Sequence, residues 1–248
     1  MTAYSQELLK KSCEDDTKFA FDQYVSIYHA CFKPAASSSS RRHYTKECTE
    51  RLDRWTTARL RAGASNERPD DMLEYGLRLA TGTRAQFNET TALTLFLKVM
   101  QDPVHPENAR AIAANLTCTL LKRDIRVDAK DEFDGARAFC LADLSAMYGL
   151  FAWCSLDLIQ IYKRRGHPPG WKAESFTHLW KAYDAYQAEI ASGRVRPPFC
   201  AVCATLPSAT VRLRNRACQK EDWPEHRKWC ISDGGEEPTM DSDHDDLY

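Results

Sequence analysis

No apolar run in this chain approaches the roughly 18 residues that a membrane-spanning helix needs, so no membrane partner is expected. The opening residues, MTAYSQELLKKSCEDD, lack the apolar core of a secretory signal. The expected compartment is therefore intracellular, cytoplasm or nucleus. That environment is reducing, and the ten cysteines should stand mostly as thiols or metal ligands rather than disulfides. Two glycosylation sequons, Asn88-Glu89-Thr90 and Asn115-Leu116-Thr117, are then accidental. Net charge is also nearly absent, at −1, which removes any whole-chain drive toward nucleic acid or anionic lipid. Apolar residues make up 43% of the 248, enough to core one large or two unequal domains.

Helical periodicity fills the first 192 residues. Residues 4–32 carry Leu8, Leu9, Phe19, Phe21, Tyr24, Val25, Tyr28 and Phe32 at spacings near three and four, with a break expected at Glu14-Asp15-Asp16. Pro34 and the serine run to Ser40 read as a loop ending in Arg41-Arg42. A second helix is expected over 44–62, stopping at Gly63. The next runs from Asp70-Asp71 through Leu73, Leu77 and Leu79 to Gly82, with its acids at the positive end of the helix dipole. Asn88 suits an N-cap, Pro103 and Pro106 mark a turn, and Pro106-Glu107 opens a helix through Leu121. Residues 132–165 are apolar almost all round, as in a buried helix, with a break near Gly149. Asp143 and Asp157 interrupt this segment and call for partners, with arginine expected. Residues 171–191 form an aromatic-rich helix whose stripe reads as packing. Cys13, Cys31, Cys48, Cys118, Cys140 and Cys154 each stand alone in helical contexts and read as small buried hydrophobes. Residues 73–121, through Tyr75-Gly76-Leu77, Ala92 to Leu97 and Ala109 to Leu116, resemble tetratricopeptide-like helix pairs, although no two copies align at a fixed period. An irregular bundle is the equal alternative. The expected fold class is mostly α: a helical array or bundle over 1–192, then a small C-terminal zinc-binding finger over 193–231, then an acidic tail over 232–248.

The finger rests on Cys200 and Cys203, a C-x2-C pair that can turn two thiolates toward one ion, and on His226 and Cys230, four apart and so on one helical face. Soft thiolates with an imidazole favour tetrahedral zinc. Residues 193–230 hold eight Lys/Arg against three Asp/Glu. The tail holds seven Asp/Glu, no Lys/Arg and little apolar content, and is expected to be disordered.

The string Cys218-Gln219-Lys220-Glu221-Asp222-Trp223-Pro224-Glu225-His226-Arg227-Lys228-Trp229-Cys230 resembles the second half of a MYND-type zinc finger: seven residues from Cys to His, three from His to Cys, Gln after the first Cys and Trp-Pro before the His. Cys200 and Cys203 match the family's opening pair. The resemblance spans about 31 residues and implies Cys200, Cys203, Cys218, His226 and Cys230 as zinc ligands. It departs from the family in that Arg214 stands where the fifth ligand belongs and no cysteine lies between Cys203 and Cys218. Two closed sites take eight ligands, and five match. Three readings stay open: one rebuilt zinc site, a segment missing between Cys203 and Cys218, or ordinary thiols.

The resemblance further implies a protein-interaction module that takes proline-rich peptides beside the zinc, with Gln219 and Trp223 in that role. Trp223 as core of the finger itself is the equal alternative. The expected function is a zinc-binding, non-enzymatic adaptor in transcriptional or ubiquitin-ligase complexes. The alternative is a fragment of a SET-MYND lysine methyltransferase using S-adenosylmethionine. That family needs a β-rich region and an Asn-His motif, and the chain contains no Asn-His dipeptide. Direct DNA reading is not expected, because the basic residues form no clear recognition helix.

Overall fold

A computed structural model describes residues 3–35, 41–127, 132–165 and 175–194. The chain divides into two units, and all described residues belong to the first, Met1–Val195. Among them are nine helices and no strands: α1 (Ala3–Phe32), α2 (Arg41–Arg54), α3 (Thr57–Ser65), α4 (Pro69–Thr81), α5 (Glu89–Gln101), α6 (Glu107–Val127), α7 (Glu132–Met147), α8 (Trp153–Arg165) and α9 (Thr177–Ala191). None of them is long and apolar enough to cross a membrane. The helical body is thus as the periodicity expects.

Packing follows chain order from α3 to α7, each helix against the next, and α7 also meets α8 and α9. The long α1 lies against α2, α4, α6 and α8 and ties the series together. The core contains Tyr24, Val25 and Tyr28 from α1, Tyr44 and Leu52 from α2, Leu73 and Leu77 from α4, Phe96 and Val99 from α5, and Leu116 and Leu120 from α6.

Several helix ends carry the signals written in the sequence. Pro69 sits in the first turn of α4, and Gly82 closes it in the left-handed region at φ 75°, where a Cβ would be strained. Asn88 caps α5 by accepting from Thr91 N at 2.9 Å. Gly149, at φ 80°, lies between α7 and α8.

Five expectations are corrected. The acids at 14–16 do not break α1: residues 14–19 are exposed on every side, so three successive carboxylates meet water and cost the helix nothing in desolvation. Residues 44–62 are two helices, because Thr56 takes extended backbone and accepts from Arg59 N at 3.3 Å, starting α3 afresh. Gly63 is no stop signal. It lies buried inside α3, where a Cβ would overlap the Asp71 carboxylate. The partners seen for the two aspartates are a lysine and a backbone N–H. Asp157 pairs with Lys122 at 2.5 Å, and Asp143 accepts from Leu179 N at 2.8 Å. In 132–165 burial is also less than all-round: Cys140 and Met147 are exposed.

The Asp143 bond has a structural role. Phe176, at the N-cap of α9, offers no side-chain cap. The Asp143 carboxylate on α7 takes over that office for the third N–H of α9, and so pins the start of one helix to another. Asp143→Ala is expected to cost about 1 kcal/mol, the usual worth of an N-cap. Urea denaturation read by circular dichroism checks it. An unchanged midpoint would mean that water replaces the carboxylate without loss.

Candidate functional site

The expected zinc ligands Cys200, Cys203, Cys218, His226 and Cys230, and the expected peptide contacts Gln219 and Trp223, all lie outside the described residues. Among the described residues, no group of three or more His, Cys, Asp and Glu side chains could hold a metal ion. Two buried polar assemblies, neither expected from the sequence, are nonetheless brought together in the body.

The first lies where α6 meets α1 and α8. Asn115, Cys118, Thr119 and Lys122 recur at helical spacing on α6 and make a buried polar stripe. Asn115 is its hub. Its Nδ2 donates to Ser145 Oγ at 2.7 Å, and Ser145 Oγ donates to the Leu150 carbonyl at 2.8 Å, which fixes the amide orientation. Asn115 Oδ1 then accepts from the Cys154 thiol and from Ser155 Oγ at 3.2 Å. Cys31 of α1 reaches the Asn115 carbonyl at 3.5 Å and Thr119 Oγ1 at 3.0 Å. Lys122 and Asp157 close the far end of the seam.

Cys31, Cys118 and Cys154 are all fully buried, and Cys154 is near enough to shift the thiols of the other two. Burial, then the contact with Cys154, pushes the Cys31 thiol well up. Contact with Cys154, then burial, does the same to Cys118. Cys154 differs. Burial opposes its ionisation, but the influence of the Cys118 and Cys31 thiols and the charge of Lys122 outweigh it and hold this thiol below the ordinary range.

The second assembly centres on Glu74 of α4, which is fully buried. Its Oε1 accepts from Tyr24 Oη at 2.6 Å and from Arg78 Nε at 3.0 Å, and its Oε2 accepts from Arg51 Nε at 2.6 Å. Arg78 is equally buried and donates from Nη1 to the Trp55 carbonyl at 2.8 Å, while its Nη2 has no partner. The Arg51 guanidinium lies over the rings of Tyr28, Phe32 and Trp55. Burial and the adjacent Glu74 carboxylate drive the Tyr24 hydroxyl far above the usual phenol range, so it stays protonated as a donor. For Arg51, burial works against the charge, but Glu74 more than offsets it and raises the group. One carboxylate thus holds two guanidiniums and a phenol, and joins α1, α2 and α4. Beside it, Tyr28 Oη at 2.6 Å and Lys33 Nζ at 2.9 Å donate to Glu47. Burial raises the Glu47 carboxyl, yet these two bonds bring it below its ordinary range.

A shallow cleft of about 480 Å³ opens between α1, α2 and the turn after α4, lined in part by Asp16, Thr49, Thr83 and Arg84. Its arginine is committed elsewhere, to the Leu52 carbonyl and to Asp53 Oδ1, each at 2.7 Å. Arg84 also holds φ 52°, a left-handed backbone for a non-glycine residue. These bonds and that of Thr57 Oγ1 to its carbonyl at 2.7 Å over-determine the conformation. The cleft therefore presents no free cation to a ligand.

Of the six lone cysteines expected to be buried, Cys31, Cys48, Cys118 and Cys154 are, Cys140 is exposed, and the side chain of Cys13 lies outside the described residues; burial lifts the Cys48 thiol to about 12. Their gathering was not legible, since it joins residues more than thirty positions apart. Two local signals were available. One is the polar stripe Asn115, Cys118, Thr119, Lys122; the other is the Glu74/Arg78 pair inside a helix whose other positions are mostly apolar. No family model, no curated protein and no solved structure matches the chain.

Proposed function

We propose that the chain is a non-enzymatic, zinc-binding adaptor, in which a helical body over 1–192 carries a MYND-like finger over 193–231 and an acidic tail over 232–248. The observation that carries this reading is the spacing Cys218-x7-His226-x3-Cys230 with Gln219 and Trp223-Pro224 inside it, preceded by Cys200-x2-Cys203. Cys200, Cys203 and Cys218, with either His226 or Cys230, supply four ligands to one zinc and leave no position open for a catalytic water. A short segment rich in polar residues gains its folding free energy from the metal, on the order of 10 kcal/mol. Gln219 and Trp223 then face a proline-rich peptide, and the intracellular partners belong to transcriptional or ubiquitin-ligase assemblies. The helical character of the described body favours this reading over the methyltransferase, whose catalytic region is rich in β-structure.

Zinc content tests the proposal. Protein purified without added metal is expected to carry about one zinc per chain by plasma mass spectrometry, as a single closed site requires. Cys218→Ser and His226→Ala are tested alongside. Loss of the zinc in Cys218→Ser supports the rebuilt site, and loss in His226→Ala selects the histidine as its fourth ligand. Zinc-free wild-type protein would overturn the proposal, and two zinc ions per chain would overturn the single-site arrangement.

A further inference from the structure

We propose that the cleft between α1, α2 and the turn after α4 is a docking site for a partner protein, which seats a lysine or arginine side chain in it. The cleft lies wholly in the helical body, so this reading and the zinc-binding one can fail separately.

Three observations place it. The first is the apolar part of the lining, supplied by Ala20 and Phe21 of α1 and Leu52 of α2. The second is the state of the polar groups around it. The Thr49 hydroxyl donates to the Thr45 carbonyl and the Thr83 hydroxyl to the Ala20 carbonyl, each at 2.9 Å. Arg84 is neutralised by Asp53. The Asp16 carboxylate differs, for it has no hydrogen-bond or ion-pair partner among the described residues. An unpaired negative charge therefore stands at a hollow with an apolar lining. A side chain with an aliphatic stem and a cationic head satisfies both at once.

The third observation is what surrounds the cleft. Glu14 and Asp15 precede Asp16 on α1 and are also exposed and unpaired among the described residues, while the exposed stretch 14–19 holds one cation, Lys18. Phe87 is 57% exposed, and its Cβ lies 3.7 Å from where a Cβ on the lining residue Gly82 would stand. The surplus of acid thus runs on along α1 past the cleft, and an apolar ring stands beside it. A polypeptide can meet all of these together: one basic side chain in the cleft, a second against the acids and an apolar residue on Phe87. The hollow is also shallow, whereas small-molecule sites enclose most of their ligand. An acidic segment or a nucleic-acid backbone would be repelled by the same carboxylates.

The test titrates full-length, nitrogen-15-labelled protein with a short synthetic peptide of lysine, leucine and alanine, and with its counterpart carrying glutamate for lysine. The amide signals of Thr49, Gly82, Thr83 and Arg84 are expected to move with the lysine peptide and to stay in place with the glutamate peptide. Asp16→Lys is expected to weaken the lysine peptide about ten-fold, the usual worth of a hydrogen bond to a charged group. Asp15→Lys makes the same change in net charge on the next residue and is expected to weaken it far less. Both positions are exposed, so neither substitution threatens the fold. Unmoved cleft signals in the wild-type protein would overturn the proposal without reliance on any variant. So would an equal response to both peptides, and so would equal losses in the two variants, which would mean diffuse attraction rather than a seat at Asp16. Concentration-dependent movement of the same signals without peptide would assign the cleft to a second copy of the chain, and would overturn the partner proposed.

Discussion

Glu74→Gln is expected to lower the unfolding free energy of the helical body by about 3–5 kcal/mol, the cost of stripping one partner from a buried ionic group. The substitution keeps the shape of the side chain and one carbonyl acceptor. It removes the carboxylate charge that pairs with two guanidiniums, Arg51 and Arg78, of which Arg78 is wholly enclosed. Arg78 cannot discard its proton to escape, because guanidinium stays charged in proteins. Its Nη2 amino group already lacks a partner, so no spare acceptor stands ready. Urea unfolding followed by circular dichroism measures the shift in midpoint. Adding Arg78→Met to Glu74→Gln should recover part of the loss, because it takes away one of the stranded cations and the unpartnered Nη2 group together. If Glu74→Gln alone unfolds at the wild-type midpoint, the triad contributes nothing and water has free entry to it.

That triad also shows where a single sequence stops being readable. The helices themselves were legible from short-range evidence: Pro69 and Gly82 bound α4, Asn88 starts α5, and Gly149 separates α7 from α8. Each is a matter of one residue's backbone preference, decided within a turn. The break wrongly placed at Glu14-Asp15-Asp16, and the single helix wrongly drawn across 44–62, had a different origin. Three acids in a row are harmful only if one face of the helix must be buried, and which face is buried depends on elements far away. The partners of Asp143 and Asp157 were illegible for the same reason. Charge balance called for a cation, yet Asp143 meets a backbone N–H on α9 and Asp157 meets a lysine 35 positions earlier. The thiol seam joins positions 31, 118 and 154, and only the course of α1 across α6 and α8 brings them together. The finger is the reverse case. The Cys and His spacing proposed for it is a local signal at positions outside the described residues, and it is there, rather than in the body, that the functional reading rests.

Gly76→Ala is expected to destabilise the body by about 1–2 kcal/mol, although alanine is the better helix former by about 1 kcal/mol in an open helix. Gly76 sits in the middle of α4, against the Phe96 ring of α5. A Cβ there would overlap the ring of Phe96, which is itself fully buried. The ring has no room to retreat, so the added methyl must displace packed atoms, and the overpacking outweighs the gain in propensity. Phe96→Ala is expected to cost more, about 3–5 kcal/mol, because it opens a cavity at the contact between α4 and α5. The decisive measurement is the double variant. Once the ring is gone, the alanine at position 76 has space, and its helix propensity should appear as a gain of about 0.5–1 kcal/mol over Phe96→Ala alone. The effect of one substitution thus reverses sign with the presence of one neighbour, which propensity alone cannot produce. If Gly76→Ala is destabilising by the same amount in both backgrounds, the glycine is needed for a reason other than the phenylalanine ring, and the close approach of α4 to α5 is not what selects it.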